Sequence, residues 1–261
     1  MAILGHDRYC DELLTQTGLL RELLAGADPT TDVPTCPGWT LTDLVRHVGG
    51  NLRTVGTAVR TGEPVDDPER QVPDLTGPQG DAADARDAWL GDAAEEFART
   101  LRAAGPDGEA QVWGLPASTG FWARRAAHDV VIHRADAAAA LGAEYSVAPE
   151  VATDAVDELL ELMSAPGATP RLAEPRGDAG ASIHLHATDV RPELNAEWLI
   201  ELGDGGFTWR RGHGRAAVAL RGPLGDVLRV FYRRLPAGSA RVEVLGEGTL
   251  LDYWLERVSL G

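Results

Sequence analysis

The chain contains no lysine. All 24 of its basic side chains are arginine, against 40 acidic ones, for a formal charge of −16 over 261 residues. So acidic a chain lacks the concentrated basic surface that phosphate backbones and anionic bilayers require. No nucleic-acid or membrane partner is therefore expected. With abundant Ala and Gly, the missing lysine reads as the codon bias of a GC-rich genome. Only two cysteines are present, Cys10 and Cys36. They cannot form a disulfide framework and are expected as free thiols filling small buried spaces. No run approaches the roughly 18 apolar residues of a membrane span. The first ten residues place Asp7 and Arg8 ahead of any apolar stretch, so no secretory core is expected and the localisation reads as cytoplasmic. GxSxG, GxxxxGK[ST] and CxxC motifs are all lacking, which removes the commonest nucleophile-elbow, P-loop and redox readings.

Hydrophobic residues nevertheless make up 44% of the chain, enough for a substantial core. Residues 7–26 carry Tyr9, Leu13, Leu20 and Leu24 on one helical stripe. Thr40 and Asp43 have capping-box form ahead of Leu41, Leu44, Val48, Leu52, Val55 and Val59. A Pro-rich acidic loop follows at 62–80. Further helices are predicted over 81–104, 119–141 and 149–163. The Pro-, Gly- and Ala-rich segment 164–180 reads as a linker. Beyond it the period changes to alternation, with strands over 182–189, 198–202, 216–220 and 242–245. Asp204-Gly205-Gly206 signals a hairpin turn. Helices are expected at 223–234 and 249–258. The fold class is α+β in two domains: a helical bundle over 1–165 and a small α+β domain over 178–261.

Of seven histidines, His133 is the informative one. Asp129 lies four residues before it, so on a helix both side chains leave the same face one turn apart. That geometry can chelate one divalent cation, as the two histidines of HExxH do. A third ligand is needed, and His47, at the edge of the apolar stripe of its helix, is the best supplier. Bland readings stand beside this one: a core histidine bonded to a carbonyl, and a surface ion pair. Arg125, one turn before Asp129, either binds an anionic group or pairs with Asp129, a pairing that would argue against a metal. Asp136 either orients the His133 ring or is a solvated carboxylate beside Arg134. His128 points elsewhere and is read as structural. His184 and His186 share one strand face, but no carboxylate or third histidine stands at a telling spacing from them. His213 is read as an exposed turn residue.

With these residues in hand, the chain resembles the mycothiol-dependent maleylpyruvate isomerase family. The stretch VPTCPGWTLTDLVRHVGG resembles the family's first-ligand region and ends around His47. FWARRAAHDVVIHRADA resembles the second, with a carboxylate four residues before a histidine. ASIHLHATD, LRGPLGDVLRVFYRRLP and VEVLGEGTLLDYW are similar to its C-terminal domain. The resemblance implies a DinB-like four-helix bundle followed by a sterol-carrier-like domain. It also implies a divalent metal, zinc, on His47, Asp129 and His133, and mycothiol, the small thiol of actinobacteria, as cosubstrate. A metal-activated thiolate would then add to a small electrophilic substrate, as an isomerase or an S-transferase. Arg234 corresponds to the family's catalytic arginine, with Arg233 beside it, and Arg125 is the candidate for cosubstrate binding. The family commonly has Glu where this chain has Asp129, whose carboxylate reaches roughly 1.5 Å less far, a length comparable to a metal bond. Two other functions compete: a metal-dependent hydrolase on the same bundle, and a non-enzymatic ligand-binding protein with a vestigial site.

Overall fold

The computed structural model describes residues 4–78, 83–165, 181–203 and 206–258. Contacts divide the chain into one unit over Leu4–Tyr145 and a second that includes Ser146–Gly261. Four long helices form the first: α1 (His6–Leu24), α2 (Leu41–Thr61), α4 (Ala83–Ala104) and α5 (Thr119–Leu141). α1 packs on α4 and α5, and α2 packs on the same two, so the helices close a ring. The predicted stripe residues Leu13, Leu20, Leu44, Val48, Phe97 and Leu101 are all buried in it. Burying a side chain of this size stabilises by about 1.5–3 kcal/mol, which is what holds the helix ring together.

Helix α2 begins where its sequence says it should. The Thr40 hydroxyl accepts from the Asp43 backbone N–H, and the Asp43 carboxylate accepts from that of Thr40. Such a cap is worth about 1 kcal/mol and sets the phase of every residue behind it, His47 included. Gly49 lets α2 approach α4, since a Cβ there would lie 2.2 Å from the Trp89 ring. α5 ends at Gly142 in the left-handed region.

Two features of this unit escape the sequence reading. The loop at 62–80 contains a single helical turn, α3 (Pro68–Gln71). A hairpin of β1 (Glu109–Val112) and β2 (Leu115–Ser118) precedes α5. Its two turn residues, Trp113 and Gly114, both have positive φ. That is the geometry favoured by two-residue hairpins, reached here with Trp in place of the usual Asn or Asp.

The second unit opens with α6 (Pro149–Ser164), expected above as the last helix of the first domain. The division falls before it, at residue 145, because the inner face of α6 is tied to the sheet that follows. The Asp157 carboxylate accepts from Trp198 Nε1 at 2.7 Å and from both Nε and Nη2 of Arg211, and the Tyr232 hydroxyl donates to the Ala155 carbonyl. The strands are β3 (Ser182–Ala187), β4 (Glu197–Gly203), β5 (Gly206–Arg211), β6 (Val218–Gly222) and β7 (Glu243–Gly246), ordered β5-β4-β3-β6-β7. Only the β3–β6 pair is parallel. Ile183, Leu185, Trp198, Ile200, Val218 and Leu220 are buried on one face, where α6 and α7 (Leu224–Phe231) pack. Trp254 of α8 (Gly248–Arg257) joins them, 4.7 Å from Phe207 and stacked at 5.9 Å on Phe231. His184, His186, Glu197 and Leu199 lie on the opposite face. Most of the expected linker, residues 166–180, and turn residues 204 and 205 lie outside the described residues.

Asp157 is 3% exposed, so its charge depends on these partners. Asp157→Ala is expected to cost about 3 kcal/mol of stability by chemical denaturation, because it removes the carboxylate that balances Arg211 and the acceptor of the buried Trp198 N–H. A loss below about 1 kcal/mol would contradict the assignment of α6 to this unit.

Candidate metal centre

The site is built on α5, from the spacing that flagged it. Asp129 Oδ2 lies 3.9 Å from His133 Nε2. His133 is turned by a third residue of the helix: its Nδ1 is 2.9 Å from Asp136 Oδ2. With Nδ1 engaged, Nε2 is the nitrogen presented toward Asp129. Asp136 is fully buried, which rules out the solvated surface carboxylate. Its expected alternative partner, Arg134, donates instead to Gln16 and lies over the Tyr145 ring.

A buried carboxylate needs donors, and the loop before α2 supplies them. Thr35 Oγ1 donates to Asp136 Oδ1 at 2.6 Å, and Cys36 Sγ lies 3.4 Å from Asp136 Oδ2. Backbone bonds between Val33, Cys36 and Trp39 fold this loop on itself. They bring the Trp39 ring to 4.8 Å from His47 and 6.1 Å from His133. His47 comes from α2, the facing helix. Its ring centroid is 4.7 Å from that of His133, edge to face, and Asn51 Nδ2 lies 3.0 Å from its Nε2. Arg125 Nη2 is 3.5 Å from Asp129 Oδ1, so the arginine does pair with Asp129.

The charges in this cluster are tightly linked. Burial opposes ionisation of Asp129 most strongly, yet the charges of His133, Arg125 and His47 and a hydrogen bond from Asn51 outweigh it and hold the carboxyl below its usual range. Burial likewise opposes the imidazolium at His133. The Asp129 charge, with hydrogen bonds from the His133 ring to Asp136 and Cys36, nevertheless lifts it to about 9. A cationic centre is thus favoured between Asp129 and the two histidines, and in the metal-free fold a proton supplies it.

The donor set suits a divalent metal as well. One ligand atom from each of His47, Asp129 and His133 lies within 4.8 Å of the others. Donors on a tetrahedral zinc sit about 3.4 Å apart, so only modest closure is needed, and Asp129 reaches the cluster despite its shorter side chain. Three protein ligands leave a coordination position open. A cavity of about 300 Å³ adjoins His47, lined by Arg46, Asn51, Leu75, Thr76 and Trp113 among others. The larger cleft beside α1, about 550 Å³, is lined by Leu41, Val45 and Leu90 together with charged residues such as Arg21, Arg86 and Asp87, and contains none of these groups.

The remaining expectations divide. His128 is buried edge-on to Tyr9, as a structural residue should be. Cys10 is buried too, and burial pushes its thiol up to about 11, which makes it a poor nucleophile. Cys36 is only half-buried and belongs to the hydrogen-bonded set around Asp136, a role its isolated position in sequence does not signal. Asn51 also escapes the sequence reading, its only signal being the four-residue spacing from His47. Arg234 belongs to the second unit, just beyond α7 and after Arg233, which has φ 63°. Its guanidinium donates to the Tyr232 carbonyl at 2.9 Å.

Two family models match the chain: the mycothiol maleylpyruvate isomerase N-terminal domain over residues 10–138, and the C-terminal domain of the same family over 150–252. Among solved structures, the crystal structure of the mycothiol-dependent maleylpyruvate isomerase matches at 17% identity and a TM-score of 0.58. That of a histidine-to-alanine mutant matches at 16% and 0.59. Each alignment covers 94% of this chain and 95% of the other. No curated protein sequence shows a significant match.

The raised His133 pKa fixes the sign of a pH effect. In metal-free protein, the stability contributed by protonated His133 is complete below the ordinary value of 6.5 and fades as pH rises through about 9. The stability difference between wild type and His133→Gln, measured by denaturation, should shrink across that window. A difference independent of pH would contradict the charge assignment. Asp136→Asn should lower the His133 pKa in an NMR titration of the imidazole, and weaken zinc binding about 10–100-fold.

Proposed function

The chain belongs to the mycothiol-dependent maleylpyruvate isomerase family, and on that premise we propose that it is a thiol-dependent metalloenzyme. Its reaction is the cis–trans isomerisation of a small unsaturated dicarboxylate of the maleylpyruvate class, with mycothiol as cosubstrate. The observation that carries this reading is the convergence of His47, Asp129 and His133, with Asp136 on the far nitrogen of His133.

Those three side chains would hold a divalent metal, zinc by its preference for imidazole and carboxylate donors. When bound there, the cation supplies acidity: it lowers the pKa of a thiol so that the thiolate forms at neutral pH. The protein's own groups do the rest. Asp136 keeps His133 in one orientation and raises its basicity. Asn51 orients His47. Arg125 offsets the negative charge of Asp129, and an anionic group of the cosubstrate is assigned to the same guanidinium. The Trp39 ring forms an apolar wall beside the two imidazoles, which limits water and strengthens the local electrostatics.

The proposed chemistry conserves all atoms and electrons. The thiolate sulfur adds to one carbon of the double bond, and the π pair moves into the adjacent carbonyl as an enolate. The former double bond, now single, rotates. The enolate pair returns, the C–S bond breaks, and the thiolate leaves with the trans isomer formed. Arg234 is proposed to hold the substrate carboxylates and the developing enolate, as a guanidinium is suited to do.

Activity on maleylpyruvate is expected to require both a metal and added mycothiol. Chelation should abolish it and zinc should restore it. His47→Ala and His133→Ala should each lower kcat/KM at least about 10³-fold, and Arg234→Gln about 10²-fold. Thiol-independent turnover would favour a hydrolase, and a stable thioether product would favour an S-transferase. Either result would overturn the isomerase reading.

A further inference from the structure

A second constellation of metal-type ligands lies in the other unit, on the sheet face turned away from α6 and α7. His184 and His186 leave the same face of β3, two residues apart. Glu197, the first residue of β4, is the register partner of His186. His213 follows β5 in the loop that begins at Gly212, whose N–H donates to the Glu197 carbonyl. Two strands and a loop thus deliver three imidazoles and a carboxylate to one point.

The geometry there is unusual for an ordinary hydrogen-bonded cluster. Glu197 Oε2 lies 2.8 Å from His184 Nε2, 3.1 Å from His186 Nδ1 and 2.7 Å from His213 Nδ1. All three nitrogens converge on the same oxygen, which offers only two in-plane lone pairs. The rings stand nearly perpendicular to one another, with centroids 5.1–5.8 Å apart and interplanar angles of 74–85°. They therefore approach a common centre from different directions, as ligands around an ion do. One donor atom from each residue lies within 4.8 Å of the rest. Donors on a tetrahedral ion with bonds of 2.0–2.2 Å sit about 3.4 Å apart, so the nitrogen–oxygen separations need to open by about 0.3–0.7 Å as the Glu197 oxygen draws back from the centre. The neighbouring Arg221, register partner of His186 on β6, pairs with Glu243 at 2.8 Å and leaves Glu197 to the histidines.

We propose that His184, His186, Glu197 and His213 form a second metal site, selective for a zinc-class divalent transition ion. Three imidazoles and one carboxylate suit zinc, copper(II) or nickel(II) over calcium or magnesium. Four protein donors fill a tetrahedral shell and leave no position for substrate, so the site is a clasp. What it clasps is the segment between β5 and β6. His184 is buried and His213 is 73% exposed, so the ion would pin a surface loop onto the sheet beneath it. The same loop brings Gly214 against Leu199, where a Cβ would lie 2.5 Å from Leu199 Cδ1.

The site is independent of the one on α2 and α5 and is tested apart from activity. Full-length His47→Ala/His133→Ala protein is titrated with cobalt(II). It should bind about one equivalent, with the intense visible bands of four-coordinate cobalt, and adding His186→Ala and His213→Ala should abolish both. In the otherwise wild-type chain, His186→Ala/His213→Ala should remove one equivalent, from about two to about one. A wild-type stoichiometry of one that falls to zero in this variant supports the clasp while removing the site on the bundle. The clasp is overturned if the His47→Ala/His133→Ala protein binds no cobalt, or if its binding is unchanged once His186 and His213 are gone.

Discussion

The bundle site depends on one hydrogen bond, from His133 Nδ1 to the buried carboxylate of Asp136. It fixes which nitrogen of His133 faces Asp129, and so whether the two can share a cation. Burying Asp136 is costly unless its oxygens are satisfied, because an unpaired carboxylate in a low-dielectric interior loses its hydration without return. Thr35 and Cys36 provide that satisfaction, which explains why the loop before α2 folds back toward α5. The same loop ends in the Thr40 cap, and the cap sets the helical phase that brings His47 opposite His133. Ligand orientation, loop conformation and helix phase are thus one connected set of constraints.

The short side chain of Asp129 reaches into this set. The carboxylate comes to 3.9 Å from His133 and 3.5 Å from Arg125, with Asn51 also in reach. The local electrostatics favour positive charge at that point whether it arrives as a proton or as a metal, and the two compete. A metal bound there would displace the proton of His133, so its binding would strengthen with pH until His133 is neutral.

The parts of this architecture that are local in sequence were legible in it. The i, i+4 relation of Asp129 and His133, the capping box at Thr40 and the apolar stripes of α1, α2 and α4 follow from helical periodicity alone. So did the change to alternating strands near residue 182. What was hidden is non-local. Helix α6 has an amphipathic pattern that would serve either unit, and only the Asp157 bonds to Trp198 and Arg211 assign it. The β1–β2 hairpin turns on Trp113 and Gly114, which carry no strong turn signal. His184 and His186 looked isolated because their partners are 13 and 29 residues further on. Register across β3 and β4, with the turn after β5, brings those partners in, and register is not written in spacing.

The proposed function stands on His47, Asp129 and His133 binding one metal ion between them. The most direct measurement is an anomalous difference map from crystals of the zinc-loaded protein, recorded on both sides of the zinc absorption edge. A peak is expected at about 2.0–2.2 Å from all three side chains, with His133 still held by Asp136. An empty map at that position, or an ion bound with His133 rotated away from Asp129, would contradict it.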